Sequence, residues 1–248
     1  MVLACGLAFT RYTSMTIRSD EHKALTQATI GAPIQEVAGA GHKVLRDTYR
    51  LLSVTLIFSA MVAGTTAALQ LPAPGLLLTL AGYFGLLFLT YRLQNSIWGL
   101  AAVFALTGFM GYTLGPILAH YLTLANGPQL VATTMGVTGL AFLGLSAYAR
   151  SANAVNALNW GNFLTIGILT AFGLGVAAYF FQLPALALAV SGVFVLLMCG
   201  LIMFETQNIV RGGETNYILA TVSLFVTVFN LFSSLLHIFG FLGGEEGA

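Results

Sequence analysis

Apolar residues dominate the chain in four long stretches, and charged residues occur almost only between them. No Asp, Glu, Lys or Arg occurs in residues 51–91, 93–149, 151–204 or 215–244. A helix needs about 20 apolar residues to cross about 30 Å of hydrocarbon. The first three stretches are each long enough for two crossings, and the fourth holds one. The pattern therefore predicts seven transmembrane helices; a six-span alternative would fold the last stretch back into the membrane.

Proline and glycine divide each of the three longer stretches at one point. The breaks fall at 71–75, 126–128 and 182–184, because proline ends a helix and glycine favours a turn. Pro184 also suits the first turn of the helix that follows it. The predicted spans are 48–70, 74–92, 97–121, 129–150, 160–182, 184–210 and 216–242.

The overall composition supports a membrane protein and excludes several other classes. Of the 248 residues, 58% are hydrophobic and 7% are charged, whereas a soluble domain is typically about 25% charged. The net charge of +1 provides no basic surface for nucleic acid. Two cysteines, Cys5 and Cys199, are too few for a disulfide framework or a zinc site. We therefore expect no bound metal and no cofactor.

The basic residues predict the orientation in the membrane. With seven spans, the N-terminal segment and the loops at Arg92, Arg150 and Arg211 share one side, opposite the three proline breaks. All nine Lys and Arg residues fall on that first side, which the positive-inside rule makes cytoplasmic. The C-terminus is then periplasmic. The predicted parts are a flexible cytoplasmic tail at 1–42, a helix bundle at 43–243 and a short acidic periplasmic tail at 244–248.

One acidic residue falls inside a predicted span. Glu205 lies near the cytoplasmic end of the sixth span, where an ionisable group is costly and is therefore a candidate functional site. At that depth the carboxyl group reaches water, keeps its proton or pairs with a cation. Arg92, Arg150 and Arg211 lie on the same side and are the candidate partners. A protonatable gate or cation site and a structural ion pair between helices both stay open.

The seventh span carries a polar stripe. Thr227, Asn230 and Ser234 are spaced i, i+3 and i+7, which places them on one helical face. Such a face contacts protein or water rather than lipid. Hydrogen bonds between helices would explain the stripe, and so would the lining of a narrow path. Thr227 and Asn230 therefore join Glu205 as candidates for a gate or cation site.

Small residues in the third span predict close helix packing. Gly111 and Gly115 have the small-xxx-small spacing that lets two helices approach closely. Pro116 follows them and is expected to kink the span, which would permit a gate.

Catalytic motifs are absent from the sequence. It contains no His-Glu-x-x-His, no pair of membrane aspartates and no phosphate-binding loop. The serines within 144–147 and 189–192 each miss the Gly-x-Ser-Gly of intramembrane serine proteases by one glycine. We therefore predict that the protein is not an enzyme.

Five stretches of the sequence are distinctive. They are His-Lys-Val-Leu-Arg-Asp-Thr-Tyr at 42–49, Gly-Phe-Met-Gly-Tyr-Thr-Leu-Gly-Pro-Ile-Leu at 108–118, Gln-Leu-Pro-Ala-Leu at 182–186, Phe-Glu-Thr-Gln-Asn-Ile at 204–209 and Gly-Gly-Glu-Thr-Asn-Tyr-Ile at 212–218. Through them the chain, over about residues 42–242, resembles the Bax inhibitor-1 family and most closely its bacterial YccA branch. Residues 1–41 lie outside the resemblance.

The resemblance implies a seven-helix bundle with a central last helix in the bacterial inner membrane. It implies association with the membrane-anchored ATP-dependent zinc protease FtsH and its membrane complex, as substrate and modulator in membrane protein quality control. It also implies an alternative, a pH-sensitive calcium or proton leak gated by two acidic residues on the sixth and seventh helices. Glu205 matches the first acid, but Thr227 stands at the second and cannot ionise. We therefore predict a modulator of FtsH, with the leak as the alternative.

Overall fold

The computed structural model describes residues 34–151 and 154–245, and this part of the chain is helical without any strand. Seven α-helices follow one another, with a short 3-10 helix at Ala157–Trp160 before the fifth. Their bounds are α1 Ile34–Ala68, α2 Leu76–Leu93, α3 Trp98–Leu122, α4 Gly127–Ala149, α5 Gly161–Phe180, α6 Pro184–Val210 and α7 Tyr217–Glu245.

Six of these helices are long and apolar enough to cross a membrane, and α2 carries a shorter apolar run at Leu77–Leu93. The predicted all-helical membrane class is therefore confirmed. The break at 71–75 lies between α1 and α2, while Pro128 and Pro184 lie in the first turns of α4 and α6. Most predicted boundaries lie within two residues of the helix ends, and two differ by more. Helix α1 begins at Ile34 rather than near 48, so residues 34–42 are helical, and α7 continues to Glu245. The remaining parts of the predicted tails, 1–33 and 246–248, lie outside the described residues.

Helix α7 lies at the centre of the bundle. In its most apolar segment 78% of the residues are buried, against 28–50% in the other five long helices. It packs against α1, α3, α4 and α6, and Leu224, Phe225 and Leu231 on it are fully buried. Thr227 and Asn230 of the polar stripe are buried and therefore meet protein rather than lipid, while Ser234 is half-buried.

Helices α1 and α3 cross closely because glycines on α3 leave room for α1. A Cβ atom added at Gly111 would overlap the backbone carbonyl oxygen of Ser59, and one at Gly115 would overlap the side chain of Thr66. Pro116 lies inside α3, which continues beyond it to Leu122. The glycine face is thus part of a helix contact, while a gate at Pro116 stays a prediction.

Many of the buried threonines in the bundle bond to their own helix. Thr55 Oγ1 donates to the Leu52 carbonyl at 3.0 Å, and Thr138 Oγ1 donates to the Thr134 carbonyl at 2.7 Å. Such a hydroxyl needs no partner on another helix. Hydrogen bonds between side chains of different helices and loops are fewer, and several of them cluster where α6 ends and α7 begins.

Candidate functional site

Glu205 is buried at the contact between α6 and α7, with 7% of its surface exposed. Ser223 Oγ donates a hydrogen bond to Glu205 Oε1, and Thr227 Oγ1 lies 3.2 Å from both carboxyl oxygens. Ser223 and Thr227 are one turn apart on α7, so their hydroxyls face the same carboxyl group. The structure thus brings Glu205 and Thr227 together and adds Ser223, which the sequence analysis did not single out. Its spacing of four residues from Thr227 was the available signal.

At this contact more acceptor atoms lie within hydrogen-bond distance than the two hydroxyl groups have protons to donate. Thr227 Oγ1 lies 2.9 Å from the backbone carbonyl of Ser223 as well as within reach of the carboxyl group. A threonine hydroxyl has one proton, which cannot serve both acceptors at once. A protonated Glu205 resolves this, because its own O–H donates to Thr227 while Thr227 donates to the Ser223 carbonyl. The geometry therefore fits a neutral carboxyl group, which also avoids a buried charge.

The three predicted arginine partners contact other groups, and within the described residues none forms an ion pair with Glu205. The carboxyl group is therefore held by hydroxyls. Of the two interpretations of Glu205 from the sequence, the structural ion pair between helices is not observed within the described residues. The observed partners are Phe88 for Arg92, with 5.8 Å from Cζ to the ring centroid, the Ser146 carbonyl and the Tyr49 ring for Arg150, and Asn156 Oδ1 at 2.8 Å for Arg211.

Asn230 is buried on the same helix as Thr227 but bonds within that helix. Its Nδ2 donates to the Val226 carbonyl at 2.9 Å. The structure thus brings Ser223 and Thr227 to Glu205 and assigns Asn230 a local hydrogen bond. A part for Asn230 in a gate or cation site stays a prediction.

Metal-binding geometry is not found at this contact. Over residues 34–151 and 154–245, no group of three His, Cys, Asp or Glu side chains is placed to hold a metal ion. One carboxyl group with two hydroxyls is a weak ligand set for a divalent cation, which favours several carboxylate oxygens.

Gln207 connects α6 to the segment between α4 and α5. Its Oε1 accepts a hydrogen bond from the Ala157 N–H at 2.8 Å, and its Nε2 donates to the Val155 carbonyl at 2.7 Å. The buried side chain therefore satisfies one backbone N–H and one backbone carbonyl of that segment. Arg211, one turn further along, donates to Asn156 in the same segment.

Asn216 makes the corresponding connection between the start of α7 and the turn between α2 and α3. Its Nδ2 donates to Asn95 Oδ1 at 3.1 Å and to the Gln94 carbonyl at 3.3 Å. Its Oδ1 accepts from the Ile218 N–H at 2.9 Å, which caps α7. Sequence reasoning missed both amides. Both lie in the distinctive stretches at 204–209 and 212–218, but nothing in those stretches indicated what the amides would bind.

A further contact joins α6 and α7 nearer their other ends. Ser191 Oγ and His237 Nδ1 are 2.8 Å apart, and Ser191 Oγ also donates to the Ala187 carbonyl of its own helix at 3.0 Å. The serine lies in a regular helical turn with its hydroxyl bonded to the backbone. This pair is a hydrogen bond between α6 and α7.

Comparison with known proteins gives consistent matches over most of the chain. Residues 41–244 match the family described as "Inhibitor of apoptosis-promoting Bax1". The chain is 52% identical over 200 residues to "Modulator of FtsH protease YccA" of Escherichia coli K12, which covers 81% of this chain and 90% of that protein. The same identity and coverage hold for "Inner membrane protein YccA" of Escherichia coli O6:H1.

A third relative extends the match beyond the named proteins. It is an uncharacterized protein of Pseudomonas aeruginosa, 47% identical over 212 residues, which covers 86% of this chain and 93% of that protein. The family match over residues 41–244 includes all of α2–α6 and the residues Glu205, Gln207 and Asn216. On this evidence the chain belongs to the Bax inhibitor-1 family.

Proposed function

We propose that this protein associates with a membrane-anchored ATP-dependent protease of the FtsH type and modulates it, while being a substrate itself. One observation carries the proposal. Over 200 residues, which cover 90% of the relative's length, the chain is 52% identical to a protein named as a modulator of FtsH protease. The absence of a recognised catalytic motif agrees with a regulatory role. The proposed setting is membrane protein quality control.

The proposal includes seven spans in the bacterial inner membrane, with the N-terminus in the cytoplasm and the C-terminus in the periplasm. A relative named as an inner membrane protein supports the location. Helix α2 supports the seventh crossing, because its 18 residues extend about 27 Å, close to the hydrocarbon thickness. The described Lys and Arg residues support the orientation, since all of them lie in α1 near 43–50 or next to turns that meet at one end.

A pulling protease needs a segment to grip and meets resistance from the folded part that follows. The segment before Ile34 is the proposed grip. The proposed resistance comes from the bundle, in which Gln207 of α6 and Asn216 before α7 each bind a turn between other helices. A substrate that is slow to extract occupies the protease, and this supports modulation by competition.

Crosslinking in cells tests the association. An affinity-tagged chain, crosslinked mildly and purified in detergent, should enrich FtsH well above an unrelated multi-pass inner membrane protein that is expressed at the same level. No enrichment over that control would overturn the proposal.

Turnover tests the proposed grip separately. Deletion of residues 2–33 leaves α1 intact and should lengthen the half-life in cells that contain FtsH, with no effect in cells that lack it. A matched deletion of residues 246–248 should leave the half-life unchanged. An unchanged half-life after the first deletion would contradict gripping from the N-terminal segment, even if the association were found.

The ion leak receives no comparable support. Thr227 meets Glu205 but supplies a hydroxyl rather than a second carboxyl group, and both groups are engaged in hydrogen bonds inside the bundle. A switch in which two acids share a proton needs two titrating groups.

A further inference from the structure

The described part of the molecule has its basic residues at one end. Lys43, Arg46, Arg50, Arg92, Arg150 and Arg211 are at this end, which we call the arginine end, and Asp47 and Glu214 are the acids near its surface. The described turns at the opposite end, 69–75, 123–126 and 181–183, contain no charged residue. Fixed positive charge at a membrane boundary attracts anionic headgroups of phospholipids.

Arg92 is the best placed of these residues to meet a lipid. It is exposed on the last turn of α2, and its guanidinium lies 5.8 Å from the centroid of the Phe88 ring, one turn earlier on the same face. That face also carries the exposed residues Leu78 and Leu89. Within the described residues Arg92 makes neither a hydrogen bond nor an ion pair. Its five N–H donors are therefore available to a phosphate group.

A tryptophan stands beside Arg92 at the same corner. Trp98 begins α3 with 67% of its surface exposed, and Ile97 before it is also exposed. Tryptophan at the end of a membrane helix favours the headgroup region, where its ring is partly in lipid and its N–H meets polar groups. The corner thus matches the parts of a phospholipid. The apolar face of α2 suits the acyl chains, Trp98 suits the interface between chains and headgroup, and Arg92 suits the charged headgroup.

The turn that carries this corner is held in place from the inner side. Asn216 binds Gln94 and Asn95, and Gly99 packs so closely that an added Cβ would lie 2.6 Å from the Leu93 carbonyl oxygen. The inner contacts fix the turn, and Trp98 is left facing outward. The corner is therefore formed before any ligand binds, which lowers the entropic cost of binding.

From these observations we propose that Arg92 and Trp98 form a binding site for an anionic phospholipid, with the guanidinium on the lipid phosphate and the acyl chains along the outer face of α2. The proposal commits to a phospholipid rather than free phosphate, because the exposed leucines and Phe88 adjoin the cation. It is independent of the proposed association with a protease.

Tryptophan quenching by brominated lipids tests the site directly. The chain has two tryptophans, so Trp160→Phe leaves Trp98 as the sole reporter. In reconstituted vesicles, brominated phosphatidylglycerol should bind next to Trp98 with about fivefold preference over brominated phosphatidylcholine, the ratio expected for one arginine at the surface. The preference should fall when salt is raised to 0.5 M.

Charge removal at two positions separates a site from general attraction. Arg92→Gln in the Trp160→Phe chain should abolish the preference, so that brominated phosphatidylglycerol and phosphatidylcholine quench Trp98 about equally. Arg46→Gln is the matched control, since it removes the same charge at the same end from an exposed arginine that is paired with Asp47 at 3.5 Å. An unchanged preference in the Arg92→Gln chain, or no preference for phosphatidylglycerol in the parent, would overturn the proposal.

Discussion

Glu205 is surrounded by hydroxyl groups rather than charges, and this determines what a substitution there should do. Ser223 and Thr227 approach the carboxyl group from one side of α7, and none of the described arginines forms an ion pair with it. In a low-dielectric site a neutral group with satisfied hydrogen bonds is tolerated, whereas an unpaired charge is not.

Glu205→Gln should therefore fold nearly as well as the parent. The amide has the same shape, accepts from Ser223 with Oε1 and donates to Thr227 with Nε2, so we expect the free energy of unfolding to change by less than about 1 kcal/mol. Glu205→Lys should cost about 3 kcal/mol or more, because it buries an unpaired charge. Thermal unfolding in detergent measures both.

Thr215→Lys is the control for this comparison, since it adds a positive charge at an exposed position nearby. It should leave the unfolding midpoint almost unchanged. If Glu205→Gln destabilised the protein as strongly as Glu205→Lys, the inference that the Glu205 carboxyl group is neutral and bonded to hydroxyls would be wrong.

At the scale of the helices, backbone contact between α1 and α3 depends on missing side chains. Gly111 lies on the carbonyl of Ser59, a backbone atom that cannot rotate away. The sequence spacing indicated a close approach here but could not identify the partner helix. Several helices carry small residues, and their contacts depend on how the bundle is assembled.

Gly111→Ala should weaken the α1–α3 contact. The added methyl group forces the helices apart, and overpacking of this kind typically costs about 1–3 kcal/mol. Gly144→Ala on α4 is the matched control, because nothing lies within 4 Å of the added carbon, and it should be neutral or stabilising by up to about 1 kcal/mol. Equal effects of the two substitutions on the thermal midpoint would contradict the proposed contact.

The connection through Gln207 makes a different prediction. Gln207→Leu removes both hydrogen bonds and leaves the buried Ala157 N–H without its acceptor, which costs about 1–3 kcal/mol. We expect faster amide hydrogen exchange at residues 154–160, with little change in α1 and α3. An equal increase in exchange rate across the whole protein, or no increase at 154–160, would show that the Gln207 amide does not hold this segment.

At the scale of the whole molecule, the number of crossings depends on α2. Six helices are long enough by length and composition, and α2 is the short one that decides between six spans and seven. Among the helices it packs mainly against α3, so lipid must cover much of its outer face if it crosses.

Cysteine labelling on the two sides of α2 tests this topology. In a chain with Cys5→Ser and Cys199→Ser, an impermeant thiol reagent should label Ala73→Cys from the periplasm and Ser96→Cys only after the inner membrane is opened. Both positions are exposed, so accessibility is matched. Labelling of the two from the same side would refute the seven-span arrangement.

Length and spacing of apolar residues by themselves determined the class of the protein, the seven helical segments and the turns between them. These are local properties, because a helix in lipid satisfies its own backbone and needs only enough apolar residues. The same local logic selected Glu205 as the acid inside a span. It failed at the start of α1, where charged residues suggested a tail but the helix extends to Ile34.

The tertiary structure alone decided what these residues meet. The partners of Glu205 lie 18 and 22 positions away on another helix, and Gln207 binds a segment 50 positions away. A hydrogen bond requires atoms within about 3.5 Å, and spacing along one helix does not specify which neighbour comes that close. The sequence therefore placed an acid among candidate arginines, and only the packing of α6 against α7 assigned it to two hydroxyls.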